Sequence, residues 1–472
     1  MNVSRLLEKG VRVELDAEEL INGAPADIIE RLLELHKDII SKEDALRAIE
    51  GSKLPKVEVV ERSEKRPIAA EYDAEIQRHD QFDVTGKNTG RGEVEDFVGM
   101  FRNRYERLAR LLRGKTKKYE EMSLEDAKKA GSGNATVIVM ITDIRPTKKG
   151  NTMLVVEDQT SSFIAIVPSR DEVAKKLQNI VVDDVVALEV SVKKEFLIVE
   201  DIWLPDLRIK EKKLGERDLA VAYISDIHFG SSQFLSSYFD RFTRWLNLQG
   251  EKKELAEKVK YIVVAGDVVD GVGIYPEQEK ELSVKTIEGQ YGMFNSFIEA
   301  IPDYIEVIVL PGNHDAGRRA EPQESLKDYV DSRVVAVGNP SFVSIDGFKH
   351  LLYHGTGMDS VIAAMPNMTY MHPEGVMVEM LKHRHLSPIY GTNPIYPNPV
   401  DYLVIEDEPD IFHAGHVHRN ASAEYRGTRV INSGTFQGIT DFQIKMGHVP
   451  TPGIVYINEL KYNELKVVRF DS

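Results

Sequence analysis

The spacing of apolar residues predicts helices in the first part of the chain. Over residues 1–60 the apolar positions recur every three to four residues and form one helical face, which consists of Ile28, Leu32, Leu33, Leu35 and Ile39. Ser41, followed by Glu43 and Asp44, predicts the start of another short helix, because such residues cap helix N-termini. We therefore expect a helical N-terminal segment over residues 1–60.

Residues 61–130 combine a polar stretch with a second helical pattern. Residues 62–92 are polar and irregular and contain several glycines, which predicts a linker or an extended arm. The helix that follows has an apolar face formed by Val94, Phe97, Phe101, Tyr105, Leu108 and Leu112. Such faces pack on a core or on a partner helix, so we assign no chemistry to this one.

From about residue 134 the apolar residues alternate with a period of two, which is typical of β-strands. The first strand contains VIVMI, and four more follow, MLVVED, SFIAIVP, DVVALEVSV and EFLIVEDIWL, with the short helix DEVAKKL between the third and the fourth strand. This order resembles an OB-fold barrel, which we expect over residues 131–207. Few aromatic residues are available to stack on bases, so nucleic-acid binding and protein contact both stay open for this barrel.

From about residue 218 the pattern becomes strand, loop and helix, repeated. The apolar runs LAVAYISD, KYIVVAGD, EVIVLPGNHD, HLLYHG and PDIFHAGHVH each end in polar residues. Functional side chains at the carboxyl ends of strands are typical of α/β layers. We predict an α/β (α+β) protein, in which residues 218–472 form layered sheets flanked by helices.

The polar residues after these strands carry side chains that bind metals. They are Asp226, His228, Asp267, Asn313, His314, Asp315, His354, His416 and His418. One such motif is usually a surface turn, whereas five in order, each after a buried strand, predict a common site. Carboxylate, amide and imidazole ligands suit Mn²⁺, Fe or Zn²⁺.

Composition narrows the class of protein. The 472 residues are too many for one ordinary core, so we expect two or three domains. Cysteine is absent, which excludes disulfides and thiolate metal ligands. The sequence shows neither an apolar run of membrane-spanning length nor a signal-peptide pattern, so we expect a cytoplasmic protein without a membrane partner. The formal net charge of −16 argues against tight, independent DNA binding.

With these motifs, residues 218–472 resemble the calcineurin-like metallophosphoesterases. The resemblance implies two divalent metal ions, with Mn²⁺ as the first choice and Fe or Zn²⁺ as alternatives. It implies three sets of ligands: Asp226, His228 and His418 for one ion, Asn313, His354 and His416 for the other, and Asp267 as the bridge. It also implies that His314 contacts the phosphate and helps to protonate the leaving oxygen, and that Asp315 orients His314.

For other polar residues near the motifs the sequence predicts less specific roles. Arg318 and Arg319 follow the GNHD motif directly and are candidates for binding a phosphate, although a solvated surface pair has the same pattern. Asp270 is expected to support the loop after Asp267. His413 is expected to be a buried strand residue. No motif connects the remaining candidates with a metal; they are His372, His383 and His385.

The order of the predicted domains along the chain narrows the choice of family further. An OB-type barrel followed by a calcineurin-like domain resembles the small subunits of replicative DNA polymerases. The segments GNHDAGRRAEP and YGTNPIYPNPVDYLVIEDEPDIFHAGHVHRN closely resemble the small subunits of archaeal family D DNA polymerases, and the metal motifs are also similar to those of Mre11-type nucleases. The resemblance covers about residues 130–472.

The resemblance implies a 3′→5′ exonuclease that proofreads for a large catalytic polymerase subunit. Its substrate would be DNA with a single-stranded or mismatched 3′ end, and the partner would supply much of the grip on DNA that an acidic chain lacks. Two alternatives stay open: a phosphatase or cyclic-nucleotide phosphodiesterase, and a subunit that serves assembly without catalysis.

Overall fold

The computed structural model describes residues 2–24, 28–34, 39–42, 44–46, 66–169, 172–440, 443–444 and 448–471. Leu35 and Glu43, which belong to predicted helical patterns, lie outside these residues. The predicted helix start at Ser41 is confirmed, because the Asp44 backbone N–H donates to Ser41 Oγ over 3.2 Å. In the described part of the chain no helix is long and apolar enough to cross a membrane.

The first residues form a small unit with its own core. Its elements are α1 (Asn2–Glu8), β1 (Arg12–Val13), α2 (Glu18–Gly23), α3 (Ile28–Glu34) and β2 (Ile39–Ile40). The helical pattern holds for α3, where Ile28 and Leu32 are fully buried. Placing Ile39 on the same helix was wrong, because Ile39 lies in β2 and pairs in parallel with β1. Strand pairing with a distant segment thus overrides the local helical spacing.

Of the two alternatives for this stretch, residues 66–92 form an extended arm that packs on the C-terminal part, and not a linker. They contain β3 (Ile76–Arg78), which pairs antiparallel with the strand Ser341–Ile345 and so becomes the edge of a sheet in the C-terminal part. The Asp83 carboxylate, which is buried, accepts a hydrogen bond from the Gly338 backbone N–H at 3.0 Å. This segment is therefore part of the C-terminal part of the structure, although its polar composition is typical of a linker.

The predicted amphipathic helix is present as α4 (Val94–Leu112), and a short helix, α5 (Leu124–Ala130), follows it. Leu108 and Leu112 of α4 pack against the barrel, whereas Val94 is 72% exposed and does not belong to the buried face. The buried side of α4 also holds two arginines. Arg104 Nε lies 2.7 Å from Asp401 Oδ2, so α4 ties the barrel to the C-terminal part.

The middle of the chain folds into a closed five-stranded barrel. Its elements are β4 (Gly133–Pro146), β5 (Thr152–Glu157), β6 (Ser162–Val167), α6 (Val173–Lys176), β7 (Val185–Val192) and β8 (Leu197–Trp203). The strand order around the barrel is β4-β5-β6-β8-β7, with β4 pairing β7 to close it. The alternating apolar residues face inwards, and the helix lies between the third and fourth strands, as the sequence predicts.

The C-terminal part consists of two facing sheets flanked by helices. The first sheet has the order β12-β11-β10-β9-β18-β19, and the second has the order β16-β17-β15-β14-β13-β3. Their strands are β9 (Ala220–Ile224), β10 (Val259–Ala265), β11 (Glu306–Leu310), β12 (Val334–Ala336), β13 (Ser341–Ile345), β14 (Phe348–Leu352), β15 (Ile411–Ala414), β16 (Asn420–Tyr425), β17 (Thr428–Ser433), β18 (Ile454–Glu459) and β19 (Glu464–Arg469). The helices are α7 (Ser236–Leu246), α8 (Lys253–Ala256), α9 (Ile287–Ala300), α10 (Gly357–Ala364) and α11 (Pro373–His383).

The apolar core of this part lies in layers. Residues of both sheets, such as Val263 and Leu352, form one buried cluster between the sheets. Helices α7 and α9 pack on the outer face of the first sheet, and α10 and α11 pack on the outer face of the second. The predicted α/β class with layered sheets is confirmed. Buried on both faces, the central strands read as continuous apolar runs in the sequence.

Candidate metal centre

The predicted ligands and His314 lie just after the carboxyl ends of five strands. Asp226 and His228 follow β9, Asp267 follows β10, Asn313 and His314 follow β11, His354 follows β14, and His416 and His418 follow β15. Strands β9 to β11 are parallel neighbours in one sheet, and β14 and β15 are parallel neighbours in the other. The carboxyl ends of the two sets of strands therefore bring the loops to one place.

The backbone at these positions has an unusual conformation. Five of the predicted ligands have a positive φ between 48° and 70°; they are Asp226, His228, Asp267, His416 and His418. Non-glycine residues rarely adopt this left-handed region, and such strain clusters at functional sites. Glycines complete the close packing: a Cβ on Gly312 would lie 2.2 Å from Asp267 Oδ1, and one on Gly415 would lie 2.4 Å from Asp226 Oδ2.

Asp226, His228 and His418 form a buried group whose ligand atoms lie within 4.8 Å of one another. His228 Nε2 is 3.1 Å from His418 Nε2, and His418 Nε2 is 3.3 Å from Asp226 Oδ1. Among the described residues Asp226 Oδ1 has no hydrogen-bond partner of good geometry, although it is buried. Two imidazole nitrogens and an orphaned carboxylate oxygen that converge in this way fit a cation.

Asn313, His354 and His416 form a second group. Asn313 Oδ1 lies 2.9 Å from His354 Nε2 and 3.1 Å from His416 Nδ1. Asp267 lies between the two groups, since its Oδ2 is 3.4 Å from His354 Nε2 and 3.7 Å from His228 Nε2. One carboxylate oxygen thus faces a histidine of each group, which is the position that a bridging ligand needs.

Hydrogen bonds on the opposite ring nitrogen orient the histidines. His228 Nδ1 is 3.0 Å from Asp270 Oδ1, and His354 Nδ1 is 2.9 Å from the Ala265 carbonyl oxygen. Because these oxygens only accept, the ring nitrogen facing them carries a hydrogen, so Nε2 is the nitrogen that faces the centre and would give up its own proton to offer a lone pair to a cation. Asp270 therefore supports His228 directly, in addition to its expected role in the loop.

The charges of the centre also suit divalent cations. Burial opposes ionisation of Asp267, yet His354 and His314 hold the pKa of Asp267 well below its usual value. Burial likewise disfavours a charged His354 ring, but Asp267 raises the pKa of His354 to about 10. Protons on histidines thus balance the carboxylates, and divalent ions would displace these protons, as they do whenever imidazoles bind metal. The residues present therefore fit the implied pair of ions.

His314 and Asp315 have separate roles in the structure. His314 is close to the first group, with its ring centroid 4.8 Å from that of His228, and its Nδ1 lies 2.8 Å from the Asp270 carbonyl oxygen. The expectation that Asp315 orients His314 was wrong. The Asp315 carboxylate instead accepts hydrogen bonds from the backbone N–H groups of Gly312, Val268 and Val269, because the tight GNHD turn points it back under the loops. Asp315 thus fixes two ligand loops against each other.

The two arginines after the GNHD motif differ from each other. Arg318 stacks on Tyr396, with the guanidinium carbon 3.8 Å from the ring centroid, and its Nη1 is buried without a hydrogen-bond partner among the described residues. Arg319 is exposed, and its Nη1 donates to the Ile274 carbonyl oxygen over 2.7 Å. Arg318 is therefore the better candidate for an anionic ligand.

The remaining candidate histidines of the sequence analysis contact other residues than the ligands. His413 is a buried residue of β15, as expected, and neither ring nitrogen has a hydrogen-bond partner among the described residues. His383 Nδ1 lies 2.6 Å from Asp184 Oδ1, and His385 Nε2 lies 3.0 Å from Asp401 Oδ2. His372 is exposed beside Glu374.

Sequence reasoning missed two residues that hold the ligands. Asp359 Oδ2 lies 3.0 Å from His416 Nε2, and Gln443 Nε2 lies 2.8 Å from His418 Nδ1, where this amide would have to present its oxygen for His418 Nε2 to bind a cation. No spacing rule connects either residue with its histidine, because the contacts span 57 and 25 positions of the chain. The only sequence feature that could have indicated a role for Asp359 is its position, in the first turn of the helix that follows the His354 motif.

Comparisons with known proteins agree with this geometry. The calcineurin-like phosphoesterase family matches residues 219–420. A DNA polymerase II small subunit of Archaeoglobus fulgidus is 38% identical over 471 residues, covering 96% of this chain and 94% of that protein. The protein of that name in Methanocaldococcus jannaschii is 39% identical over 436 residues, which covers 89% of this chain and 73% of the relative. The one in Methanothermobacter thermautotrophicus is 36% identical over 416 residues, with 86% and 84% covered.

The match with a solved structure described as a novel archaeal phosphodiesterase covers 53% of this chain and 99% of the other chain. The sequence identity is 17% and the TM-score is 0.27, and these two values support no conclusion about function. The sequence relatives are decisive, because their identity extends over nearly the whole chain and most of their own length. The chain belongs to the family of archaeal DNA polymerase II small subunits, and its C-terminal part is a calcineurin-like phosphoesterase domain.

Proposed function

We propose that this chain is a metal-dependent 3′→5′ exonuclease that removes nucleotides from DNA for a large polymerase subunit. The observation that carries the proposal is the Asp267 carboxylate, whose Oδ2 faces His354 of one group and His228 of the other. Two cations held on either side of one bridging carboxylate are the arrangement used for in-line displacement at phosphorus. The relatives' name, DNA polymerase II small subunit, supports DNA as the substrate.

The first group of residues, Asp226, His228 and His418, would hold one ion, and Asn313, His354 and His416 would hold the other. The chemistry that two divalent ions supply in such a centre is stabilisation of phosphate charge and acidification of water. Their identity is proposed as Mn²⁺, with Fe or Zn²⁺ as alternatives, because the ligands are oxygens and imidazole nitrogens without a thiolate.

His314 is proposed as the residue that acts on the substrate directly. Its Nδ1 donates to the Asp270 carbonyl oxygen, so the proton for the phosphate or for the leaving 3′ oxygen would come from Nε2 of the doubly protonated ring. A ring held in this way keeps one orientation, and proton transfer to a leaving oxygen depends on such a fixed position. Asp315 is not assigned to this step, because its hydrogen bonds go to the loop backbones and to Tyr291.

Arg318 is proposed to bind a phosphate of the DNA strand. Its guanidinium carbon lies 3.8 Å from the centroid of the Tyr396 ring, and the buried Nη1, which has no hydrogen-bond partner among the described residues, could donate to an anionic oxygen. The planar fork of arginine suits phosphate better than a lysine would. Arg319 is left out of the proposal, since it is exposed and its Nη1 already bonds the Ile274 carbonyl oxygen.

The large subunit is proposed as the partner that supplies most of the DNA grip. A chain with a net charge of −16 is poorly suited to hold DNA alone. We propose an OB-type fold for the barrel. The barrel would be joined rigidly to the phosphoesterase domain, because Arg104 of α4 bonds Asp401 while Leu108 of the same helix packs on the barrel. Exonuclease rates with the large subunit should be higher and less sensitive to salt than without it.

Digestion of a DNA oligonucleotide labelled at its 5′ end tests the proposed activity. With Mn²⁺ present, the product should shorten in a ladder from the 3′ end, and His314→Ala should lower the rate by roughly 10²–10⁴-fold, the range for general acid help. His372→Ala is the matched control, because this histidine is exposed and its side chain pairs with Glu374 and not with a proposed ligand. The same loss in both variants, or release of the 5′-terminal nucleotide first, would contradict the proposal.

A further inference from the structure

The loop of residues 270–281 begins at the metal centre and ends at the protein surface. Its first residue, Asp270, bonds His228 through its side chain and His314 through its carbonyl oxygen. The loop then passes outwards and presents two exposed apolar side chains, Val272 and Tyr275. A single segment thus touches a proposed ligand and the proposed catalytic histidine, and also carries an exposed aromatic ring.

Buried glutamines hold this loop in place. Gln278 Nε2 donates to the Asp270 carbonyl oxygen over 2.8 Å, and Gln278 Oε1 accepts from the Ile274 backbone N–H at 2.9 Å. Gln290 Oε1 accepts from the Gly271 backbone N–H at 2.8 Å. Both glutamine side chains are almost completely buried. The loop is therefore anchored at its start and in its middle, and the position of Tyr275 is determined by the centre itself.

The Tyr275 ring lies next to His314. The two ring centroids are 6.5 Å apart at an interplanar angle of 66°, and Tyr275 is 37% exposed. The hydroxyl donates to Glu281 Oε2 over 3.0 Å, which fixes the tilt of the ring. Arg319 Nη1 donates to the Ile274 carbonyl oxygen from the opposite side of the loop. A partly exposed aromatic side chain beside the proposed catalytic histidine is in a position to meet the substrate.

We propose that Tyr275 is a specificity residue that stacks on the base of the 3′-terminal nucleotide while His314 contacts its phosphate. The inference rests on the proposed exonuclease function and adds the feature of the substrate that the site recognises, which is an unpaired base of any type. Stacking on an aromatic ring tolerates every base, because each base has a π-face. A base in a duplex is already stacked and paired, so the Tyr275 ring would favour single-stranded and frayed 3′ ends.

Two oligonucleotides that are identical except at the 3′ end provide the test. One ends in a normal nucleotide and the other in an abasic residue, and the rate of the first cleavage is measured with the full-length chain and Mn²⁺. Stacking of one base corresponds to roughly 5- to 150-fold. We expect Tyr275→Ala to slow cleavage of the normal end by about this factor and to leave the abasic end unchanged. Tyr275→Phe, which keeps the ring, should remain close to wild type.

A binding measurement separates stacking from catalysis. With a chelator present, an oligonucleotide that carries fluorescent 2-aminopurine at its 3′ end should be quenched by the wild-type chain and by Tyr275→Phe, but much less by Tyr275→Ala. Equal slowing of both ends by Tyr275→Ala would show that the ring only supports His314, and equal rates in all variants would show that it does not meet the base. Either result overturns this inference alone, whereas a wild-type chain that cleaves neither end overturns the proposed function as well.

Discussion

Asp270→Asn tests whether the hydrogen bond from His228 to Asp270 prepares this histidine for the proposed metal ion. The wild-type carboxylate accepts three hydrogen bonds, from His228 Nδ1 at 3.0 Å and Gln437 Nε2 at 3.0 Å on Oδ1, and from Gln278 Nε2 at 3.1 Å on Oδ2. All three partners present hydrogens, so a group that only accepts fits this position. Asparagine replaces one acceptor by a donor and cannot satisfy both sides.

The two orientations of the new amide have different consequences. If the amide nitrogen faces His228, the ring must turn its Nδ1 into an acceptor, and the hydrogen moves to Nε2, where it blocks the lone pair needed for a cation. If it faces Gln278, one buried hydrogen bond is lost at a cost of about 1–3 kcal/mol. Changes of this kind around metal-binding histidines weaken metal affinity by roughly 10–100-fold, which corresponds to about 1.4–2.8 kcal/mol.

Calorimetric titration of the metal-free chain with Mn²⁺ measures this change. We expect two binding events in the wild type and a selective loss of affinity in Asp270→Asn for the ion held with Asp226 and His418. Asp328→Asn is the matched control, because it makes the same change in charge on an exposed residue. If both ions bind Asp270→Asn as tightly as the wild type, the hydrogen bond to Asp270 does not determine the state of His228, and our reasoning fails.

Two further predictions follow from packing and from burial. Gly312→Ala should lose bound metal and exonuclease activity together, because its Cβ would lie 2.2 Å from Asp267 Oδ1; metal analysis checks this, and Gly292→Ala, whose Cβ meets no atom within 4 Å, should behave as wild type. Burial, and then the nearby Arg104, lower the pKa of His385 to about 4, against 6.5 for an unperturbed histidine. The folded state thus keeps this ring neutral, so its contribution to stability is complete above pH 6.5 and is lost as the pH falls from 6.5 towards 4. Urea unfolding at pH 7 and pH 4.5 should show a smaller pH dependence in His385→Gln, and an unchanged one would contradict the prediction.

The local pattern of apolar and polar residues was sufficient to predict the strands and the candidate ligands. The period-two runs of the barrel and the apolar runs before each polar motif appear as strands, because alternation and burial on both faces are recorded in neighbouring residues. The candidate ligands could be found for the same reason. Each follows a strand within a few positions, and parallel strands bring such residues to one edge of a sheet.

Tertiary structure decided the features that depend on distant partners. Residues 66–92 are polar like a linker, yet β3 pairs with β13 more than 250 positions later. Asp315 stands next to His314 in the sequence, but the turn directs its carboxylate to the backbone of Val268 and Val269. The partners of the ligand histidines were equally invisible. A hydrogen bond between side chains leaves no periodic trace in the sequence, so the sequence determined which residues reach the candidate metal centre, and only the packed fold decided which residues orient them there.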